Sequence, residues 1–143
     1  MKKIFIIIAV LVILGFGWSM LKSPEEKVVT PLEQLQINVT DRGTYEVYSP
    51  EKLVLAETGK VVLFFRAPWC PTCRALDADI RANLSDIPEG VTILDVDYDN
   101  STALKQKYGV TYQHTLVQVD ALGNQIAKWT SSPTLATLLT AVK

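Results

Sequence analysis

The stretch Val61–Leu76, VVLFFRAPWCPTCRAL, contains both cysteines of the chain and joins two elements of different kinds. Its first five residues form a continuous apolar run, which is typical of a strand buried on both faces of a parallel sheet. Pro71 suits the first turn of a helix, because its missing N–H group would have no partner there. Cys73, Leu76 and Ile80 then recur at helical spacing. The stretch therefore predicts a buried strand that leads directly into a helix, with the cysteines at the junction.

The rest of the chain from residue 44 onward alternates short apolar strands with amphipathic helices. Strands are predicted at 44–48, 61–65, 91–98, 115–119 and 125–129. Helices are predicted to begin at residues 49, 71, 101 and 132. The order β-α-β-α-β-α-β-β-α implies parallel crossovers and a final antiparallel hairpin around Leu122-Gly123-Asn124. We therefore predict an α/β fold, with a mixed sheet and helices on both faces, over residues 44–143.

The N-terminal part of the chain differs in composition from the predicted domain. Residues 1–22 start with Met1-Lys2-Lys3 and continue as a charge-free, largely apolar run over residues 4–21. This pattern predicts a hydrophobic helix that acts as an uncleaved membrane anchor or as a signal segment. An anchor is favoured, because Trp18 crowds the small residues that a cleavage site needs. Residues 23–43 are polar and are predicted to form a linker.

The lysines at the N-terminus predict where the domain resides. Basic residues that flank a membrane segment tend to remain in the cytoplasm. The domain is therefore expected in the periplasm or on the outer face of the cytoplasmic membrane, with cleavage and secretion as the alternative. Such compartments permit disulfides. The net charge of −1 and the lack of a basic cluster argue against nucleic acid as a partner.

A disulfide between the two cysteines would stabilise the fold little, because it would close almost no loop. Cys70 is expected at or next to the N-cap of the helix, where free N–H groups and the helix dipole favour a thiolate. Cys73 follows one turn later and is expected to face inward. An activated outer sulfur beside a shielded inner one fits two-step disulfide exchange, in which Cys70 attacks and Cys73 resolves. This chemistry requires no cofactor.

Residues 64–73, FFRAPWCPTC, resemble the active-site segment of the thioredoxin superfamily. Other similar segments are Asp95–Asp97, Tyr108–Val110 and Thr115–Val117. The resemblance covers about residues 44–143 and implies a thioredoxin-like sheet, preceded in this chain by the N-terminal hydrophobic helix. It implies Cys70 as the nucleophile and Cys73 as the resolving cysteine. It also implies that Trp69 belongs to the surface that contacts protein partners.

Several positions depart from the pattern of that superfamily. Phe64 stands where thioredoxins carry a buried acid that assists proton transfer from the second cysteine, and Ile93 lies nearest to where a lysine is often found. The residues between the cysteines are Pro71-Thr72 rather than Gly-Pro, a pair that tunes the reduction potential. His114 stands where the family has a cis-proline. Because a cis bond before a non-proline residue is costly, we expect this loop to be either strained or trans.

His114 has three open interpretations at this point. In the first, it replaces the proline without a chemical task. In the second, it stabilises the Cys70 thiolate or shuttles protons, since imidazole titrates near neutral pH. In the third, it joins both cysteines in binding a soft metal such as copper(I). Zinc is not expected, because a structural zinc site usually needs four ligands and the chain offers two cysteines and one histidine.

Charged residues near the cysteines receive simpler interpretations. Arg66 and Arg74 flank the pair and are expected to be solvated surface residues. Asp95, Asp97 and Asp99 alternate at the end of a predicted strand. They are expected to form a hydrated strand edge rather than a calcium site.

These observations predict an extracytoplasmic thiol–disulfide oxidoreductase that acts on protein substrates and exchanges electrons with an upstream redox partner. Its predicted catalytic residues are Cys70 and Cys73. The residues predicted to contact the substrate are Trp69, Pro71, His114 and Thr115. The alternative is a copper-binding or copper-delivery module that uses Cys70, Cys73 and His114. A redox-inactive binding domain is a third interpretation.

Overall fold

A computed structural model describes residues 42–143, which contain a five-stranded mixed sheet. The strands are β1 (Thr44–Val47), β2 (Lys60–Arg66), β3 (Val91–Asp97), β4 (Thr115–Val119) and β5 (Gln125–Thr130). Their order across the sheet is β1-β3-β2-β4-β5. Strand β3 pairs in parallel with β1 and β2, whereas β4 is antiparallel to β2 and β5. The central position of β2 explains why its apolar residues do not alternate with polar ones.

Within residues 42–143, three α-helices and two 3₁₀ helices lie between the strands or follow the last one. The α-helices are α1 (Pro71–Ala82), α2 (Thr102–Tyr108) and α3 (Leu135–Thr140), and the 3₁₀ helices span Pro50–Glu57 and Leu84–Asp86. Helix α1 is amphipathic and buries Cys73, Leu76 and Ile80. Helix α2 ends at Gly109, whose φ of 57° lies in the left-handed region that glycine adopts without strain.

The two faces of the sheet are covered by different helices. On one face, Val62 and Phe64 of β2 pack with buried residues of α1 and α3. On the other face, Leu63 and Phe65 pack with Tyr108 of α2 and with the 3₁₀ helix that precedes β2. Alternate residues of β2 therefore enter separate clusters, as the pleat of a strand requires. The predicted α/β sheet with helices on both faces is confirmed, and both cysteines belong to the α1 and α3 side.

Two of the helix predictions are wrong in detail. The first helical segment is a 3₁₀ helix, in which no residue is fully buried and Ser49 makes no capping hydrogen bond through its side chain. A segment with so little buried surface lacks the packing that sustains a long α-helix. The last helix begins at Leu135 rather than at Ser132, because Thr134 is the N-cap and accepts the N–H of Thr137.

The predicted hairpin between β4 and β5 is confirmed. The Asp120 carboxylate accepts the main-chain N–H groups of Leu122 and Asn124 at 3.0 and 2.8 Å. Gly123 adopts a φ of 73°, which a residue with a side chain rarely tolerates. The turn is thus held by an aspartate at its start and a glycine at its tip.

The predicted N-terminal helix and almost all of the predicted linker lie outside the described residues. Across residues 42–143, no helix combines the length and the apolar character that a membrane span needs. The anchor therefore stays a prediction from the sequence.

Candidate active site

The junction between β2 and α1 places Cys70 at the N-cap of the helix. The Cys70 backbone is extended, with φ of −79° and ψ of 119°, and its N–H donates to the Ala67 carbonyl at 3.2 Å. Pro71 is the first helical residue and is exposed. Because proline presets the helical φ, the chain turns into α1 immediately after Cys70.

The Cys70 sulfur is hydrogen-bonded at the start of α1, where it accepts the N–H of Cys73. The Cys73 N–H lies 3.3 Å from the sulfur, and the Thr72 hydroxyl lies 3.1 Å from it. Burial is the largest single influence on the Cys70 pKa and raises it. The Cys73 thiol, the Thr72 hydroxyl, the Cys73 N–H and the Gln113 side chain act in the opposite direction and together lower this pKa below its usual value. Cys70 is thus the thiol of the pair that ionises first.

The surroundings of Cys73 raise the pKa of its thiol, whereas those of Cys70 lower it. Its side chain is fully buried in the cluster that also contains Phe64, Leu76 and Ile80. Burial, followed by the hydrogen bond to Cys70, raises the pKa of Cys73 to about 11. Both cysteines are free thiols in this structure. The pair therefore consists of one thiol that ionises readily and a second that holds its proton.

The loop that faces the cysteines is brought to them by the pairing of β2 with β4. In that antiparallel register Phe65 lies opposite Thr115, and the His114 N–H donates to the Phe65 carbonyl at 2.9 Å. Thr115 is buried, and its hydroxyl donates to the Tyr112 carbonyl at 2.8 Å, which closes the loop on itself. From this loop the Gln113 side chain acts to lower the pKa of Cys70. A loop about forty residues away in sequence thus completes the surroundings of Cys70.

His114 occupies a strained and buried position in this loop. Its φ of 58° lies in the left-handed region, and no peptide bond between residues 42 and 143 is cis. The peptide bonds of this loop are therefore trans, and His114 adopts the left-handed φ. The imidazole is 8% exposed and packs edge-on against Phe64, with ring centroids 5.7 Å apart. Its Nε2 lies 3.1 Å from the Ser132 carbonyl oxygen.

A groove of about 610 Å³ opens beside Cys70, between the first turns of α1 and the loops that precede β4 and α3. Its lining consists of Thr72, Ala75, Tyr112, Gln113, His114, Thr130, Ser131 and Pro133. Ser131 has a φ of 66°, so the groove brings together the two left-handed non-glycine residues of the described chain. Strained backbone of this kind is concentrated at functional sites. The groove adjoins the reactive sulfur and falls within the size range of ligand-binding clefts.

Trp69 directly precedes Cys70 and is not among the residues that line the groove. The side chain is 56% exposed, and its indole N–H donates to the Asp99 carboxylate at 3.0 and 3.2 Å. Arg74 donates to the carbonyls of Pro68 and Trp69 at 3.4 and 3.3 Å, which steadies the turn before the helix. The indole face is therefore available to a partner while its edge is held in place.

The expectation that Arg66 is a solvated surface residue is wrong. Its guanidinium makes a bidentate hydrogen bond to Asp95, with N–O distances of 2.7 to 3.0 Å, and lies 3.9 Å from Asp77. Tyr45 donates its hydroxyl to Asp77 at 2.7 Å. The pairing of β2 with β3 places Arg66 and Asp95 two rungs apart on neighbouring strands, a proximity that the linear sequence does not reveal.

The three aspartates at the end of β3 each bind different hydrogen-bond partners. Asp95 pairs with Arg66, Asp97 accepts the N–H groups of Asp99 and Asn100, and Asp99 accepts the Trp69 indole. Throughout the described part of the chain, no group of three or more His, Cys, Asp or Glu side chains has the arrangement of a metal site. Neither the aspartates nor the set of Cys70, Cys73 and His114 forms one in this structure.

Residues 45–143 match the thioredoxin family. This match covers more than half of the chain and includes the strand-to-helix junction with both cysteines. The chain belongs to the thioredoxin family. The resemblance of the active-site segment is thereby confirmed over nearly the whole predicted domain.

Two relatives match this chain over part of their own length. The protein disulfide isomerase-like 2-1 of Oryza sativa subsp. japonica is 43% identical over 76 residues, which cover 49% of this chain and 20% of the rice protein. A thioredoxin of Chlamydia trachomatis serovar D is 37% identical over 60 residues, covering 42% of this chain and 58% of that protein. This chain thus spans a fifth to somewhat over half of the length of these relatives.

Solved structures show the same thioredoxin-family fold. The thioredoxin of Malassezia sympodialis superposes with a TM-score of 0.56 at 26% identity and covers 74% of this chain and 94% of that one. The protein Trxlp of Edwardsiella tarda EIB202 gives a TM-score of 0.55 at 23% identity and covers 70% of this chain and 100% of that one.

The sequence did not reveal how two residues act on Cys70. Thr72 was expected only to tune the reduction potential together with Pro71, although a hydroxyl in the first turn of a helix can reach the N-cap side chain. Gln113 gave no signal in the sequence, because its position near Cys70 depends on the register of β4 against β2. Both of them lower the Cys70 pKa, and both line the groove.

Proposed function

We propose that this member of the thioredoxin family is a thiol–disulfide oxidoreductase that acts on protein substrates. The observation that carries the proposal is the contrast between its two thiols. Cys70 lies at a helix N-terminus with a lowered pKa, and Cys73 lies one turn deeper with a pKa of about 11. The thiolate is the attacking species in disulfide exchange, so this contrast assigns the first step to Cys70 and the second to Cys73.

The exchange proceeds in two balanced steps. The Cys70 thiolate attacks a disulfide of the substrate, forms a mixed disulfide and releases one substrate sulfur as a thiolate. Cys73 then attacks the Cys70 sulfur, which forms the Cys70–Cys73 disulfide and releases the second substrate sulfur. The substrate gains two electrons and the protein loses them. The same steps in reverse oxidise a substrate dithiol, and an upstream redox partner restores the starting state.

The exposed surface around Cys70 supports proteins as the substrate class. Trp69 and Tyr112 are exposed aromatic side chains on the two segments that adjoin Cys70, and Tyr112 also lines the groove of about 610 Å³. Aromatic residues of this kind supply a large contact area with little loss of conformational entropy. Their arrangement suits a polypeptide segment on either side of the substrate cysteine.

The function is tested by reduction of insulin with dithiothreitol, using the full-length chain. The wild type is expected to accelerate precipitation of the insulin B chain, and Cys70→Ser is expected to fall to the uncatalysed rate. Cys73→Ser provides the matched variant, because it retains the attacking thiol. It is expected to accumulate a mixed disulfide with the substrate that Cys70→Ser does not form. Equal turnover by wild type and Cys70→Ser would rule out the proposed function.

The location of the domain is a separate proposal, which the basic start and the apolar run over residues 4–21 support. The chain is expected to remain in the membrane fraction after alkaline washing, with the domain outside the cytoplasm. Added protease is then expected to digest the domain in intact spheroplasts, while a cytoplasmic marker protein survives. Release into the medium would instead indicate a cleaved signal segment, and protection of the domain would contradict the proposed orientation.

A further inference from the structure

Cys73 presents a chemical problem that the two-step exchange leaves open. Its thiol must lose a proton before it can attack the Cys70 sulfur, yet its pKa is about 11. The groups that influence this pKa most are burial, Cys70 and the main-chain N–H groups of Ala67 and His114, and no carboxylate is among them. The neighbouring strand offers the phenyl ring of Phe64. A proton acceptor near Cys73 must therefore come from another element.

The His114 imidazole has a free acceptor atom in this region. Its Nε2 lies 3.1 Å from the Ser132 carbonyl oxygen. A carbonyl only accepts hydrogen bonds, so Nε2 carries the proton and Nδ1 holds a lone pair. This Nδ1 is shielded from solvent and has no hydrogen-bond partner among the residues that the structure describes. A buried polar atom without a partner destabilises the fold and calls for an explanation.

The position of His114 connects this lone pair with the second cysteine. The His114 main-chain N–H donates to the Phe65 carbonyl at 2.9 Å, and the same N–H acts to lower the pKa of Cys73. The imidazole packs on the ring of Phe64, which belongs to the same buried cluster as Cys73. The residue holds a left-handed φ of 58°, which is uncommon for residues other than glycine. The backbone strain, the burial and the unpaired nitrogen thus coincide in one residue beside the pair.

We propose that Nδ1 of His114 accepts the proton of Cys73 when Cys73 resolves the mixed disulfide, a role that rests on the thiol–disulfide exchange proposed above. The Cys73 S–H proton moves to Nδ1 and produces an imidazolium. The Cys73 thiolate attacks the Cys70 sulfur, so that the Cys70–Cys73 bond forms and the bond from Cys70 to the substrate sulfur breaks. The departing substrate thiolate then takes the proton from Nδ1. The step needs no other co-reactant, since Cys73 is oxidised and the substrate sulfur is reduced.

Few other titratable groups face this reaction. Cys70 itself is bound in the mixed disulfide, and Tyr112 is the one further titratable residue in the lining of the adjacent groove. The loop before α3 contributes Ser131 and Ser132, which do not titrate in the relevant range, and β2 contributes Phe64. A change in the pH dependence of resolution on replacing His114 therefore reports on the imidazole.

The proposal is tested by stopped-flow reaction of the reduced full-length chain with 5,5′-dithiobis(2-nitrobenzoate). Attack by Cys70 releases one nitrothiophenolate, and resolution by Cys73 releases the second, so the two steps appear as separate absorbance phases. His114→Gln retains an amide donor for the Ser132 carbonyl but cannot accept a proton. We expect its second phase to slow at least tenfold more than its first phase, because general bases typically contribute ~10²–10⁴-fold to the step in which they act.

Two controls make the result decisive. Cys73→Ser removes the second phase and identifies it, and His114→Asn provides a second variant whose residue type tolerates a left-handed φ. In both His114 variants the resolving rate is expected to rise more steeply with pH than in the wild type, because Cys73 must then ionise unaided. An unchanged second phase, or an equal slowing of both phases, would overturn the proposal. A wild type without a first phase would instead refute the proposed function itself.

A spectroscopic measurement tests the tautomer independently. His114 is the single histidine of the chain, so ¹⁵N-labelled imidazole in untagged protein gives one set of signals. We expect the reduced protein to show the tautomer that is protonated at Nε2. A proton on Nδ1 in the neutral imidazole would leave no lone pair for Cys73 and would overturn the proposal.

Discussion

The Thr72 hydroxyl affects Cys70 more directly than its exposed position suggests. It lies 3.1 Å from the Cys70 sulfur, in the first turn of α1, where it can donate to a thiolate. A hydrogen bond to a charged group is stronger than one between neutral groups, so it favours the ionised form of the thiol. The residue between the cysteines thereby tunes the attacking sulfur, whereas Pro71 beside it shapes the backbone.

Replacement of Thr72 by Ala is therefore expected to raise the pKa of Cys70 and to slow its alkylation by iodoacetamide severalfold at pH 7. Thr72→Ser, which keeps the hydroxyl, is expected to react like the wild type. The rate is measured against pH in the Cys73→Ser background, so that Cys70 is the only thiol. Identical pH profiles for the Ala and Ser variants would show that the hydroxyl has no part in stabilising the thiolate.

At the scale of elements, helix α1 holds α3 through a carboxylate as well as through packing. Asp79 accepts the main-chain N–H of Leu135 at 2.7 Å, at the start of α3. Leu135 and Leu138 of this short helix are buried in the same cluster as the α1 residues Leu76 and Ile80. The first N–H groups of a helix have no partner within it, so Asp79 satisfies one of them from a neighbouring element.

Asp79→Ala is expected to lower the free energy of unfolding by about 1 to 3 kcal/mol, because it leaves the Leu135 N–H without its acceptor. The change is measured by urea denaturation of the reduced protein. Asp86→Ala is the control, since Asp86 is exposed and its side chain accepts a hydrogen bond from neighbouring Ser85. A loss no larger than that of the control would mean that packing alone fixes α3.

For the whole molecule, the buried Cys73 thiol links folding stability to pH. In the folded protein Cys73 keeps its proton up to a pKa of about 11, above the usual value of 9.0. The native state therefore binds more protons than the unfolded state between these values. The contribution to stability is complete below about pH 9 and is lost as the pH rises through 11, with a total of about 2 to 3 kcal/mol.

Reduced wild-type protein is therefore expected to lose more stability between pH 8 and pH 11 than Cys73→Ser. The serine cannot ionise in this range and retains a donor toward Cys70. Burial and the Asp77 hydrogen bond raise the pKa of Tyr45, which acts in the same direction but is common to both proteins. Denaturation curves at several pH values with a phosphine reductant measure the difference, and parallel losses in the two proteins would contradict the assignment.

The sequence by itself determined the features that depend on neighbouring residues. The placement of Cys70 at a helix start follows from Pro71, and the inward position of Cys73 follows from its spacing to Leu76 and Ile80. The buried nature of β2 follows from its uninterrupted apolar run. These features are local, because helical periodicity, proline geometry and strand burial are each imposed within a few residues.

Only the tertiary structure decided which distant residues meet the cysteines. The register of β2 against β4 places Gln113 near the pair, next to His114, whose position beside the cysteines the family resemblance had implied. The register of β2 against β3 makes Arg66, which was expected at the surface, the partner of Asp95. A shift of one residue in either register would turn these side chains to the opposite face. That register is fixed by the packing of the whole sheet. The local sequence therefore predicted the positions of Cys70 and Cys73 in the helix, but not the interactions of Gln113 and Arg66 with residues on other elements.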